Sequence, residues 1–252
     1  LLAFFFYIDG VYTIIDMATA YGTALGFEST SLLLALLLTQ VVAFPFAILF
    51  GRLATKYNTK GKPRQFTTAT GNTVTVEGGG YGWKIDQDAE YDALIANIQN
   101  AETVTREPEY SSRAANHTAM DMGNTYAEVN LTTQHMWFIK DGQIALETDI
   151  VTGNPNKGNA TPQGTYSLTY KSRNKTLRGT KKPDGTYEYE TPVAYWMPFN
   201  GGIGFHDATW QSSFGGNRYL SHGSHGCVNM PKDKAAALYD LIPDGCPVVC
   251  HY

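Results

Sequence analysis

The chain has 252 residues, 43% of them hydrophobic, and a formal net charge of −4 from 19 Lys and Arg against 23 Asp and Glu. That length fits one large domain or two ordinary ones, and the acidic balance gives no reason to expect nucleic acid as a partner. The average hides two unlike regions: residues 1–50 carry only Asp9, Asp16 and Glu28 as charges, and nearly all the rest lie beyond Gly51.

Residues 31–50 form a run of 20 without a charge. A helix of that length reaches about 30 Å, the hydrocarbon thickness of a bilayer, so a membrane-spanning helix is expected there. Pro45 is compatible with a kinked membrane helix. Residues 1–27 are a second, weaker candidate, interrupted by Asp9 and Asp16. A signal peptide fits poorly, because the apolar stretch is too long and no basic region precedes it. The chain starts without Met and reads as a fragment. Through Phe5-Phe6-Tyr7-Ile8-Asp9-Gly10 and Gly51-Arg52-Leu53-Ala54-Thr55-Lys56-Tyr57, residues 1–57 resemble a helix pair of a major facilitator transporter. Two helices cannot enclose a transport path, so no transport is assigned. Arg52, Lys56, Lys60, Lys62 and Arg64 crowd the end of the second helix, and the positive-inside rule would keep that flank in the cytoplasm. Either two unrelated genes join near residues 57–62, or one helix spans and the translocated domain overrides the charge bias.

Residues 58–64 read as a basic linker. A strand is expected over 66–76, a turn at Gly78-Gly79-Gly80, and a helix from an Asp86 cap to about Gln99 with Leu94, Ile95 and Ile98 on its apolar side. Together, residues 58–124 make a linker and a small α+β domain, either a spacer that packs on the next domain or a glycan-binding unit. From Tyr126 the pattern turns to strands. Ala127, Val129 and Leu131 share a face, and Asp141-Gly142 between 136–139 and 144–151 is a hairpin signal. Further strands are expected at 164–170, 188–197 and 246–252, a spacing that favours a sandwich or barrel. Pro231 opens a helix carrying Ala235, Leu238, Tyr239 and Ile242, and Pro243 with Gly245 ends it.

Three cysteines leave at least one thiol free. Cys246 and Cys250 stand four residues apart on an expected strand, roughly 13 Å, beyond disulfide reach. They read as small buried groups, which leaves Cys227 as the reactive thiol. It lies in Ser224-His225-Gly226-Cys227-Val228-Asn229, and a second histidine stands in Gly204-Phe205-His206-Asp207. A thiol becomes a strong nucleophile as its thiolate, which a nearby imidazole helps to form. Gly226 lets the backbone turn tightly and leaves amides free to face a substrate oxygen. Zinc held by Cys227, His225 and His206 fits less well, since no CxxC or HxxxH accompanies them. Gly78 to Gly80 lacks the residues of a phosphate loop. His117, His135, His222 and His251 show no comparable pairing and receive no role.

These residues resemble the L,D-transpeptidases of the bacterial cell wall, the YkuD-type catalytic domain. An upstream histidine (His206), a spacer, then Ser224, His225, Gly226, Cys227, an apolar residue and Asn229 match its signature over about residues 125–252. Ala160-Thr161-Pro162-Gln163-Gly164-Thr165-Tyr166 looks like its Thr-Pro-x-Gly-x-Tyr stretch. Residues 63–113 resemble the end of the peptidoglycan-binding-like domain that precedes it in some Gram-positive members. The resemblance implies a mainly β protein, a β-sandwich with a helix after the nucleophile, needing no cofactor and no metal. It implies that Cys227 attacks the carbonyl of the third residue of a peptidoglycan stem peptide and expels D-Ala. His206 takes the thiol proton, amides near Gly226 and Cys227 hold the oxyanion, and the side-chain amine of another stem takes the acyl group. Carbapenems are implied as inhibitors, and the bacterial cell membrane, with the catalytic domain on its outer face, as the location. Asp207 or its backbone carbonyl orients His206, or Asp207 is structural. Ser224 positions the loop or bonds a histidine, His225 lines the cleft or holds the loop, and Asn229 fixes the turn or meets substrate. Tyr166, Trp196 and Trp210 are candidate cleft walls. Alternatives are an L,D-carboxypeptidase, in which water replaces the acceptor, and a non-catalytic wall-binding membrane protein.

Overall fold

The computed structural model describes residues 20–28, 30–35, 37, 38, 41, 44, 45, 48, 52, 57–118 and 120–252. The chain divides into two compact units, Leu1–Tyr57 and Asn58–Tyr252. In the first, the described residues include helical turns and expose Leu33, Leu34, Leu37 and Leu38. Among the described residues no helix is long and apolar enough to cross a membrane. The span expected at 31–50 falls partly on residues outside the described set, and most of the one at 1–27 lies outside it altogether.

The second unit begins with a small α+β part. One strand was expected over 66–76. Two form instead, β1 (Arg64–Thr67) and β2 (Thr73–Val76), because the chain reverses at a turn with Gly71 in the left-handed region. A second antiparallel pair, β3 (Lys84–Ile85) and β4 (Tyr110–Ser112), brackets helix α1 (Gln87–Gln99). The Asp86 carboxylate caps this helix by accepting the Ala89 N–H at 3.2 Å. Leu94, expected on its apolar side, is exposed, whereas Ile95 is half-buried.

The rest of the second unit is built on two mixed sheets. Strands β5 (Tyr126–Asn130), β6 (His135–Lys140), β7 (Gln143–Asp149), β8 (Gly164–Ser167) and β13 (Pro247–His251) form the first, in the order β7-β6-β5-β13-β8. Strands β9 (Ser172–Arg178), β10 (Glu190–Asn200), β11 (Ile203–Asp207) and β12 (Val228–Met230) form the second, in the order β12-β11-β10-β9. Asp141 (φ 51°) and Gly142 (φ 79°) make the two-residue turn between β6 and β7, the left-handed pair that matches strand twist. Two pairs are parallel, β5 with β13 and β11 with β12, so distant segments lie side by side. Alternating residues of both sheets, among them Val129, Phe138, Phe205, Val228 and Val248, share one core with Ala235, Leu238 and Ile242 around helix α2 (Lys232–Leu241). Cys246 and Cys250 are free and lie in this core, as their spacing implied.

The small α+β part is sewn to the first sheet. Tyr81 N–H donates to Thr165 O at 3.0 Å and Thr165 N–H to Gly78 O at 3.2 Å, which covers the free edge of β8. Phe66, Val76, Tyr81 and Met122 pack with Val249 from the outer face of β13. Below them Glu128, fully buried, accepts the Ala69 N–H at 2.8 Å through Oε2 and pairs with His251 Nε2 at 3.0 Å through Oε1.

Candidate active site

His206 lies on β11, opposite Asn229 of β12 and Trp196 of β10. Strand alternation sends Phe205 and Val228 into the core and leaves His206 and Asn229 on the other face. Cys227 enters β12 two residues before Asn229 and so returns to that face. Together with Ser224, His225 and Trp210 they line a cavity of about 230 Å³. Its far wall is the hairpin of β9 and β10. Leu177 faces Thr191 across the pair, and Tyr189 packs where Gly179 leaves room; a Cβ on Gly179 would lie 2.7 Å from its ring.

The His206 ring is buried, with Nδ1 2.9 Å from the carbonyl of Asp207. A carbonyl only accepts, so Nδ1 carries the hydrogen and Nε2 keeps its lone pair. Burial holds the imidazole below its usual value, against the pull of the Asp207 carbonyl and carboxylate. It is therefore the carbonyl of Asp207 that orients the ring. Its carboxylate accepts the Tyr195 N–H at 2.9 Å and ties β10 to β11.

Cys227 is half-buried, its Sγ 3.4 Å from Gly202 O. Burial pushes its thiol up to about 11, countered by a hydrogen bond from the Gly204 backbone. Cys246 is pushed up to about 12 and Cys250 further still. The Ser224 hydroxyl turns inward, donating to Cys227 O at 2.6 Å and accepting the Gly226 N–H at 3.0 Å. It shapes the loop and bonds neither histidine. Gly226 sits at φ 122°, a conformation that favours glycine. His225 is exposed and stacks on Tyr189 with ring centroids 4.7 Å apart.

Asn229 is 2% exposed, with Oδ1 lacking a partner while the residue lines the cavity. Trp210 is half-exposed, 5.9 Å from the His206 ring. Tyr166 is not among the lining residues. Its hydroxyl donates to Gln163 O at 3.0 Å and its ring packs on Phe199, so the cleft-wall expectation gives way to a core position. Trp196 is likewise buried, with Nε1 on the Tyr170 hydroxyl at 3.3 Å. Leu177, Tyr189 and Thr191 line the cavity without having been singled out, and so does His222, for which no role was expected. The alternation Tyr187-Glu188-Tyr189-Glu190-Thr191 was the available signal for Tyr189 and Thr191. Among the described residues no three His, Cys, Asp or Glu side chains are grouped to hold a metal ion.

A thiol and a buried imidazole lining one cavity, against the sheet of β9 to β12, are the groups of a cysteine-dependent acyltransferase. The family model of the L,D-transpeptidase catalytic domain matches residues 124–250, and that of a "Putative peptidoglycan binding domain" matches residues 49–106. An Enterococcus faecium L,D-transpeptidase with its cysteine changed to serine is 38% identical, with a TM-score of 0.67 over 81% of this chain and 79% of that one. A second structure, the carbamoyl enzyme that Ldtfm forms with avibactam, is 39% identical with a TM-score of 0.66 over 80% of this chain and 78% of that one. The chain belongs to the L,D-transpeptidase family. A separate match, 60% identical over 60 residues, is to an uncharacterised MFS-type transporter of Bacillus subtilis; it spans 24% of this chain and only 14% of that protein.

Proposed function

We propose that the chain forms peptidoglycan cross-links between third stem residues through a Cys227 thioester. The observation that carries this is the shared cavity, lined by the half-buried Cys227 and by a histidine whose Nδ1 is held by a carbonyl, leaving Nε2 unprotonated. With the thiol raised and the imidazole lowered, both are neutral at pH 7, so proton transfer to Nε2 accompanies attack. The sulfur bonds to the carbonyl carbon of the third stem residue, and the oxyanion is held by the backbone amide of Cys227; the Gly226 amide, first expected beside it, is taken up by the Ser224 hydroxyl. The C–N bond to D-Ala then breaks, and the leaving amine takes the proton from His206. The side-chain amine of a second stem attacks the thioester, forms the new amide and returns the thiol. Trp210, Asn229 and His225 serve as walls for the peptide; the orphan Oδ1 of Asn229 supports this, because an unpaired buried acceptor costs about 1–3 kcal/mol unless a ligand donor meets it.

Carbapenems are proposed to acylate the same sulfur, by analogy with the avibactam carbamoyl enzyme of the relative. The catalytic part is proposed to work on the outer face of the bacterial cell membrane, where such a substrate lies. The exposed Leu33, Leu34, Leu37 and Leu38 support cover by lipid or by other apolar helices. Mass spectrometry after incubation with a stem tetrapeptide tests the reaction. Loss of D-Ala with a cross-linked dimer is expected for the wild type and no turnover for Cys227→Ala. Free tripeptide without dimer would instead establish carboxypeptidase action, and turnover by Cys227→Ala would remove the nucleophile assignment.

A further inference from the structure

We infer that Thr161 is the positioning residue that aims the Cys227 amide at the reaction oxyanion, a role that rests on the acyl-transfer reading of the site. Thr161 lies in the loop ahead of β8, 65 residues from Gly226 in sequence, and is 2% exposed. Its Oγ1 donates to Gly226 O at 2.7 Å and accepts the Gly153 N–H at 2.9 Å. A hydroxyl has one hydrogen, and here it is committed to the Gly226 carbonyl.

The Gly226–Cys227 peptide is planar and trans, so its C=O and N–H point in opposite directions. Holding the carbonyl on Thr161 turns the Cys227 N–H away from Thr161. The two sides of the loop differ. Thr161, Thr152 and Gly153 line a separate hollow of about 190 Å³, whereas Ser224, His225 and Cys227 line the catalytic cavity. Turning away from Thr161 therefore turns the amide towards the thiol's cavity. Gly226 has no Cβ to fix the orientation of this peptide, and the Ser224 hydroxyl grips Cys227 O and the Gly226 N–H, leaving the Gly226 carbonyl to Thr161. The Thr161 segment is itself fixed a few residues on. Gln163 O and Pro162 O accept from the Tyr166 hydroxyl, and Thr165 is clamped between Gly78 and Tyr81.

Two reactions of Cys227 separate this role from general support. Alkylation by iodoacetamide forms a thioether and releases iodide without an oxyanion. Acylation by a carbapenem opens the lactam C–N bond through one. In the full chain, Thr161→Val keeps the side-chain shape and loses the hydroxyl. Loss of one oxyanion donor costs roughly 10²–10³-fold, and a misaimed donor is expected to cost about 10–100-fold in acylation, with alkylation changed by less than about twofold. Thr161→Ser keeps the hydroxyl and is expected to acylate within about threefold of wild type, since the loss of one methyl leaves the hydrogen bond in place. Equal slowing of both reactions by Thr161→Val would show that it places the sulfur, not the amide, and overturns the inference. So does a Val variant with undiminished acylation, or a Ser variant that loses as much as Val. A wild-type chain that is alkylated at Cys227 yet never acylated overturns the acyl-transfer reading itself, and this role with it.

Discussion

Gly153→Ala offers a direct test of how closely the nucleophile loop is packed. Gly153 pairs with Ser224, and a Cβ there would lie 1.9 Å from Asn159 O and 2.8 Å from Gly226 Cα. Ordinary contacts begin at 3.4 Å, so Gly226 must retreat by about 0.6 Å and the Asn159 carbonyl by about 1.5 Å. Both neighbours are backbone and cannot swing aside as a side-chain tip would. Overpacking of this kind costs roughly 1–3 kcal/mol, which a domain with about 5–15 kcal/mol of stability survives. Catalysis is less tolerant, because a misplacement near 1 Å can cost about 10²-fold. Gly153→Ala is therefore expected to remain folded, with a modest fall in urea midpoint, and to acylate about 10–100-fold more slowly than wild type. Carbapenem acylation monitored by intact mass, beside urea unfolding read by tryptophan fluorescence, measures both. Wild-type acylation in a folded Ala variant would refute the steric argument, since it would mean the loop absorbs the methyl without moving the thiol.

Removing the Glu128 carboxylate should destabilise the unit strongly. His251 Nδ1 lies 3.2 Å from Tyr252 O and Nε2 3.0 Å from the Glu128 carboxylate, so both ring nitrogens are engaged. Glu128→Ala breaks this buried pair and orphans the Ala69 N–H, at about 3–5 kcal/mol. In Glu128→Gln the amide can still meet His251 Nε2 and accept the Ala69 N–H, so its urea midpoint is expected to lie between those of Ala and wild type; two midpoints equal to wild type would contradict the pairing. His206→Ala should lower acylation by roughly 10²–10⁴-fold with little change in substrate binding. Because burial lowers the His206 value, the wild-type rate is expected to hold as pH falls through 6.5 and to drop only once Nε2 protonates; a rate that halves at or above 6.5 in a pH series argues against this base. Finally, a chain beginning at Asn58, where the second compact unit starts, should acylate as the full chain does. Aggregation or lost activity of that fragment would show that the two units depend on each other.

Features set by neighbouring residues were legible in the sequence. Asp141-Gly142 announced its hairpin because both residues tolerate positive φ, and Asp86 announced a helix start because a carboxylate satisfies the first-turn amides. The thiol and glycine of residues 224–229 were likewise legible, since they stand side by side in one short motif. Strand β9 was not: Ser172 to Arg178 is basic and polar, without alternation, and is held as a strand by its register with β10. The reversal within 66–76 was also missed, because the Thr-rich run is equally compatible with one strand or two.

The sequence by itself marked Cys227 and His206 as candidates that the structure places on one cavity, and it determined the helix after them and the mainly β character of the second unit. Tertiary structure alone decided which atoms meet. It placed the Asp207 carbonyl, and not its carboxylate, on His206; it drew Tyr166 into the core, brought Tyr189 over the cavity, and set Thr161 on the Gly226 carbonyl. Local propensity is written in adjacent side chains, whereas a hydrogen bond across 65 residues, or one across 123, depends on the register of strands that meet only when the whole core closes.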